Sequence, residues 1–294
     1  SGPLKPVKPN YKIIELKISR LRFAIPRLLH NIKYVKPDIV FSTFPHITIL
    51  LLIFKKIFFL NFKLIAREPN MISSALRRGA ISTVIKILRR LLMPKTDAVI
   101  VTSNSMFSEA LELGIPKRKI ILLRNPIDEN FIRKNISPVR YPGKGVRLIS
   151  VGRLVYQKGF DRILPILKNL EEIHLTVLGE GPEIHNLKVL SIRKKVQDKV
   201  KFLGYKKDPY SYIAAADYLV LPSRWEGLPN VALESLVLGT PVICFKEIVG
   251  LNDILRAVVK KSLYFCKDEE NMEILLSNLP RRVDYQNPKI RNNL

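Results

Sequence analysis

With 294 residues, 47% of them hydrophobic, the chain is long for one domain and comfortable for two, and its composition excludes a disordered protein. A formal net charge of +25 is the anomaly: residues 1–140 hold 26 Lys/Arg against 8 Asp/Glu, a net +18, and residues 141–294 hold 24 against 17, a net +7. Such a field attracts polyanions, whether lipid head groups, lipid-linked pyrophosphates or nucleic acid. No interleaved aromatics or helix-turn-helix pattern accompany it, so nucleic acid is not expected as a partner. Cys244 and Cys266 lie in apolar runs and are expected as reduced structural thiols, because a disulfide framework or metal site needs more ligands at tighter spacing.

The opening Ser1-Gly2-Pro3 lacks the apolar region of a signal peptide. Short β-branched runs then alternate with helical stretches, the pattern of βα units on parallel sheets. Strands are expected at Tyr11–Leu16, Asp38–Ser42, Lys63–Ala66, Ala98–Thr102 and Ile120–Leu123, with helices near Ile25–Val35 and Ile81–Leu92. The apolar stretch Ile47–Phe62 is interrupted by Lys55-Lys56, too short and too charged for a membrane span, and reads as a buried or interfacial helix. Asn125-Pro126 stops the series, and residues 136–145, with two prolines and two glycines, read as a linker between units 1–135 and 146–294.

A second series follows. Strands are expected at Val146–Val151, His174–Leu178, Val200–Leu203, Tyr218–Leu221, Pro241–Phe245 and Leu263–Cys266, with helices near Asp161–Asn169, Glu183–Lys195, Val231–Leu238 and Asp253–Val258. Six strands with crossover helices describe a Rossmann-like unit, whose ligands bind outside the carboxyl ends of the strands.

Three strand ends carry chemistry. After Val151 comes Gly152-Arg153-Leu154-Val155-Tyr156-Gln157-Lys158-Gly159, where a close-approach glycine and two cations near a helix start suit a pyrophosphate. After Leu178 comes Gly179-Glu180-Gly181-Pro182, a tight strand-to-helix turn suited to lie under a nucleotide or simply to turn the chain. After Leu221 comes Pro222-Ser223-Arg224-Trp225-Glu226-Gly227-Leu228-Pro229-Asn230-Val231-Ala232-Leu233-Glu234. Pro229 can open a helix, leaving the amides of Asn230 and Val231 for a phosphate. Glu234, one turn inside an apolar helix, needs donors such as a ribose diol or a structural partner.

Taken together, Glu226…Glu234, Pro222-Ser223, Gly239-Thr240-Pro241, the two glycine turns, Phe202-Leu203-Gly204 and Asn125-Pro126-Ile127-Asp128 resemble the retaining glycosyltransferases of family 4, over roughly residues 30–280. The resemblance implies an α/β chain of the GT-B fold, two Rossmann-like domains facing across a cleft. It implies that Arg153, Lys158 and the amides at Asn230 and Val231 hold the diphosphate of a donor nucleotide sugar, with a UDP-sugar favoured, beside Gly152 and Gly181. Glu226 would contact the donor sugar and Glu234 the ribose. No metal or other cofactor is implied, and the chain lacks an Asp-x-Asp triplet. His46, after an early strand, is a further cleft candidate, as are Arg67 and Glu68 in Arg67-Glu68-Pro69-Asn70; Ser103 reads as a helix cap. The implied enzyme transfers sugar to a lipid-linked or cell-envelope glycan from the cytoplasmic side, as a peripheral protein on an anionic inner membrane surface. Relative to the family pattern, a first βα unit with its glycine-rich loop is missing, so the N-terminal domain is expected to be incomplete. A non-catalytic or partner-dependent chain that keeps the fold is therefore the competing expectation, with a basic nucleic-acid binder a remote one.

Overall fold

A computed structural model of the chain describes residues 12–15, 21–71, 80–134, 136–137, 139, 141, 145–254 and 262–280. The first half forms helices α1 (Leu21–Val35), α2 (Pro45–Ile57), α3 (Ala80–Leu92), α4 (Asn104–Glu112) and α5 (Glu129–Lys134) and strands β1 (Ile39–Ser42), β2 (Lys63–Arg67), β3 (Ala98–Val101) and β4 (Ile120–Leu122). The strands make a parallel sheet in the order β1-β2-β3-β4. Of the expected strand Tyr11–Leu16, residues 12–15 are described and form no strand, and Ile13 and Ile14 are exposed. Without a ladder for their amides and a face to bury, β-branched residues do not make a strand.

The apolar stretch after β1 becomes α2. Pro45 sits in its first turn, Thr48, Ile49, Leu51, Leu52 and Phe54 are buried, and Lys55 and Lys56 occupy the last turn, where cations complement the helix dipole. Among the described residues no helix is long and apolar enough to cross a membrane. Ser103 caps α4, its side chain accepting from the Met106 amide, as expected from sequence.

The second half forms β5 (Val146–Val151), α6 (Phe160–Ile166), β6 (Ile173–Leu178), α7 (Ile184–Arg193), β7 (Val200–Phe202), α8 (Tyr210–Ala215), β8 (Tyr218–Leu221), α9 (Asn230–Val237), β9 (Val242–Phe245), β10 (Leu263–Cys266) and α10 (Glu269–Ser277). Its parallel sheet runs β10-β9-β8-β5-β6-β7. Successive residues alternate between two cores, as a sheet covered on both faces requires. Leu148, Val220, Ile243, Phe245 and Cys266 pack on one side, while Ile149, Leu219, Leu221, Val242 and Cys244 pack on the other. The two free thiols are therefore buried on opposite faces, and burial raises both, Cys266 to about 11. Of the helix expected at Asp253–Val258, Asp253 and Ile254 belong to a 3₁₀ segment, Val249–Ile254, and residues 255–261 lie outside the described residues. Of the residues read as a linker, Ser137 donates its amide to Ser211 Oγ (2.8 Å) and Tyr141 its hydroxyl to the Tyr212 carbonyl (2.8 Å).

The two halves repeat one device. Lys119, just before β4, donates to the carbonyls of Pro94 and Thr96 (3.0 and 2.8 Å). Lys199, just before β7, donates to those of Leu167 and Leu170 (3.0 and 2.6 Å). In both cases the ammonium satisfies carbonyls around the 3₁₀ turn that ends an earlier helix, Met93–Lys95 after α3 or Leu167–Asn169 after α6.

Glu68, expected at the cleft, is instead buried against α3, where its carboxylate lies 2.9 Å from the Arg89 guanidinium with both side chains 2% exposed. Burial raises the Glu68 carboxyl and Arg89 opposes that rise. Removing one partner of a buried pair strands the other charge. Arg89→Met should therefore lower the unfolding free energy by about 3–5 kcal/mol in urea titration, and Glu68→Leu in the same chain should restore most of it.

Candidate functional site

In the second sheet β5 lies beside β8, the point from which the chain winds outward in both directions. At such a switch point two strand-end loops diverge and open a crevice. The loops here are Gly152–Gly159 and Pro222–Pro229, and they hold each other. The Arg224 amide donates to the Gln157 carbonyl (2.8 Å), and Gln157 Nε2 to the Trp225 carbonyl (3.0 Å). Gly159 has φ +64°, and a Cβ there would fall 2.1 Å from the Pro222 carbonyl oxygen. Arg224 grips Asp161 with two bonds (2.8 and 2.6 Å) and lies 3.9 Å over the Tyr156 ring; the Arg224 bond holds the Asp161 carboxyl below its ordinary value.

Between the loops sits an ionic cluster. Lys158 Nζ is 2.5 Å from Glu226 Oε1, and Ser223 Oγ donates to the same oxygen at 3.0 Å. Glu226 is 6% exposed, and its Oε2 accepts no hydrogen bond among the described residues. The Lys158 stem crosses Gly152, where a Cβ would lie 3.3 Å from Lys158 Cε. Arg153 is exposed, and its guanidinium makes no hydrogen bond or ion pair among the described residues. Gly181 proves to be a packing glycine: a Cβ would fall 2.3 Å from the Leu154 carbonyl oxygen, and this contact seats the Gly179–Pro182 turn against the Gly152 loop.

Helix α9 begins at the same place. Pro229 precedes it with no side-chain cap, and the amides of Asn230 and Val231 donate to nothing among the described residues. Glu234, one turn in, is half-buried, and its carboxylate has no hydrogen-bond partner among the described residues; desolvation raises its pKa. Its charge also raises the neighbouring Tyr210 hydroxyl, after burial.

The carboxyl ends of the first sheet face this cluster. At Gly227 a Cβ would stand 3.0 Å from Met106 Sδ, 3.1 Å from the Pro69 carbonyl oxygen and 3.4 Å from Thr102 Oγ1. The Asp253 carboxylate accepts from the Asn104 amide at the start of α4, and Gln157 Nε2 reaches Asn70 Oδ1 at 3.4 Å. Arg67, at the end of β2, donates to Asn125 Oδ1 (2.8 Å). His46, in the first turn of α2, is exposed and stacks on Phe44 (5.7 Å); partial burial lowers its pKa. No hydrogen bond, ion pair or ring contact joins His46 to the second sheet among the described residues. A cavity of about 700 Å³ lies at the amino ends of β5 and β6, away from this cluster.

The family model for glycosyl transferases group 1 matches residues 131–279, and that for Glycosyltransferase Family 4 matches residues 4–131. The chain belongs to the group 1 glycosyl transferases. This glycosyl transferase is 30% identical over 176 residues to the N-acetylgalactosamine-N,N'-diacetylbacillosaminyl-diphospho-undecaprenol 4-alpha-N-acetylgalactosaminyltransferase of Campylobacter jejuni, which covers 59% of this chain and 48% of the relative. It is 31% identical over 149 residues to the lipopolysaccharide core biosynthesis glycosyltransferase LpsE of Rhizobium meliloti (50% and 44%). The chain thus spans about half the length of these curated relatives. Among solved structures, HepE of Anabaena in complex with UDP-glucose superposes with a TM-score of 0.68 at 17% identity, covering 86% of this chain and 71% of the other. Sucrose-phosphate synthase of Thermosynechococcus elongatus gives 0.70 at 17% identity, covering 97% and 76%. The two facing parallel sheets are the GT-B fold.

Of the residues singled out from sequence, Lys158, Glu226 and Gly152 come together directly, and Asn230, Val231 and Glu234 share one helix start. Ser223, Gln157 and Asn125 all stood in motifs but had no role assigned from sequence; only the fold shows what they touch.

The Glu234 carboxyl, raised on folding, makes the native state bind its proton more tightly than the unfolded chain. Stability therefore falls as pH climbs from the ordinary glutamate value through the raised one, and the penalty is complete above it. Glu234→Gln should melt at a higher temperature than the parent at pH 7, with the difference vanishing well below pH 4.5 in a scan of melting temperature against pH.

Proposed function

We propose that the chain binds a nucleotide-diphosphate sugar, with a UDP-sugar favoured, at the β5–β8 crevice. It transfers a hexosyl or N-acetylhexosaminyl group to a lipid-linked or cell-envelope glycan with retention of configuration. The observation that carries this reading is the buttressed Lys158–Glu226 pair beside an uncapped helix start and a partnerless, half-buried carboxylate. Lys158, Arg153 and the amides of Asn230 and Val231 bind the diphosphate, and the ribose hydroxyls donate to Glu234. Glu226 keeps Lys158 in place through Oε1 and offers Oε2 to the donor sugar's hydroxyls. The bond from the sugar's anomeric carbon to the diphosphate oxygen breaks, its electron pair leaving with that oxygen. The acceptor hydroxyl oxygen bonds to the same face of the carbon and passes its proton to the departing phosphate. Fixed cations and amides stabilise the charge that develops there, without a metal. His46, on the first-sheet side, is assigned to the sugar or the acceptor.

The relatives named for undecaprenol-diphosphate and lipopolysaccharide substrates support a membrane-bound acceptor. So does the surface at the ends of α1 and α2. Phe59 is 92% exposed there beside Phe58 and Ile57, with Lys56 next to them, and Lys33 lies 4.2 Å over the Phe58 ring. Such a patch suits the anionic cytoplasmic face of a membrane.

Titrating UDP, GDP and ADP while following the fluorescence of Trp225, the one tryptophan, should give saturable binding of one of them. Glu234→Ala should weaken it about tenfold. Binding of none, or binding that ignores Glu234→Ala, would sink the donor-site reading. Flotation with vesicles rich in anionic lipid should carry the protein upward, fail in high salt and weaken in Phe59→Asp; equal flotation with neutral vesicles contradicts the membrane surface.

A further inference from the structure

Asn125 stands just after β4, at the crossing from the first sheet to the second, and its side chain is held from both sides. Arg67 Nη2 donates to its Oδ1 at 2.8 Å, while its Nδ2 donates to the Leu228 carbonyl (3.1 Å) and to Asn230 Oδ1 (2.5 Å). Arginine has no acceptor and a backbone carbonyl has no donor, so both neighbours independently fix which way the Asn125 amide points. The same logic then fixes Asn230. Its Oδ1 faces Asn125, which leaves both hydrogens of its Nδ2 without a partner among the described residues, at the exposed first turn of α9. These hydrogens stand beside the open amides of Asn230 and Val231.

We propose that Arg67 and Asn125 are positioning residues for the donor diphosphate, forming a relay that begins in the first sheet and sets the rotamer and amide orientation of Asn230 in the second. This inference rests on the donor-site reading. Arg67 acts without touching the ligand: its guanidinium polarises Asn125, and Asn125 turns the Asn230 amide so that it presents donors rather than its oxygen to the phosphates. Anchoring the Leu228 carbonyl at the same time fixes the residue before Pro229, and so the direction in which α9 sets out. The relay links the seating of one sheet against the other to the affinity of the crevice for the diphosphate, while leaving the Glu234 end of the site untouched.

Asn125→Asp tests it with minimal change of shape. The aspartate keeps, and by its charge strengthens, the bond from Arg67, but it cannot donate to Leu228 or Asn230 and so releases the Asn230 amide. UDP and UMP are titrated against the parent, Asn125→Asp, Arg67→Ala and Arg67→Lys, with thermal melting of each read alongside. The expected result is UDP affinity about tenfold lower in Asn125→Asp and Arg67→Ala, UMP affinity changed little, and partial recovery in Arg67→Lys, whose ammonium still reaches Asn125. Equal losses for UDP and UMP mean that the residues merely hold the halves together and overturn the relay, as does unchanged UDP binding in Asn125→Asp. Should Asn125→Asp fail to fold, the UDP-to-UMP ratio of Arg67→Ala against Arg67→Lys decides alone. Failure of the parent itself to bind UDP, GDP or ADP defeats the donor-site reading and the relay with it.

Discussion

The loop Pro222–Pro229 can occupy its place only because backbone meets backbone there without side chains between. Gly159 lies against the Pro222 carbonyl, and Gly250 lies where a Cβ would fall 1.9 Å from the carbonyl oxygen of Gly227. Gly227 in turn lies against Pro69, Thr102 and Met106 of the other half. A methyl group at Gly159 or Gly250 would displace main chain, which in a close-packed interior has nowhere to go. Everything chemical in the crevice hangs from this loop: it carries Ser223 and Glu226, ends at Pro229 and launches α9. Precision of the site is thus a property of steric exclusion first and of hydrogen bonding second.

Within that frame the charges are arranged in advance of any ligand. A lysine has a long stem with considerable rotamer freedom to lose. Here the Gly152 surface and the Glu226 carboxylate have already fixed it, so a ligand meets a cation in position. Glu234 shows the opposite arrangement: its carboxylate is partly desolvated with no donor in return among the described residues, a local cost in stability of the kind that collects at functional sites.

Much of the fold was legible because parallel strands buried on both faces read as unbroken β-branched and apolar runs; Val146–Val151, Tyr218–Leu221 and Leu263–Cys266 appear at the residues expected. Tyr11–Leu16 had the same local signal, yet its described residues 12–15 form no ladder, since strand formation depends on a neighbour that composition does not reveal. Helices α4, α5, α8 and α10 were not named from periodicity, although the Ser103 and Asp268 caps of α4 and α10 follow ordinary rules. In the site, the strand-end motifs held Lys158 and Glu226, but not the ion pair that joins them. Glu68 was misplaced because the adjacent residues of a strand point to opposite faces, and nothing local says that Arg89, one helix later, waits on the inner one. Asn125 was visible as part of an Asn-Pro punctuation mark, but its partners at residues 67, 228 and 230 are a fact of tertiary structure alone.

The paired caps at Lys119 and Lys199 bear on what a net charge of +25 means. Each ammonium is spent on main-chain oxygens, Arg89 faces inward, and Arg147, Arg162 and Arg224 are tied to Asp217, Glu269 and Asp161. To a distant polyanion these groups still add to the field, but none is free to form a new contact at close range. The basic character read from composition therefore divides into two populations, one that builds the scaffold and one that can greet a partner. Their ratio, rather than the total, sets how adhesive the protein is.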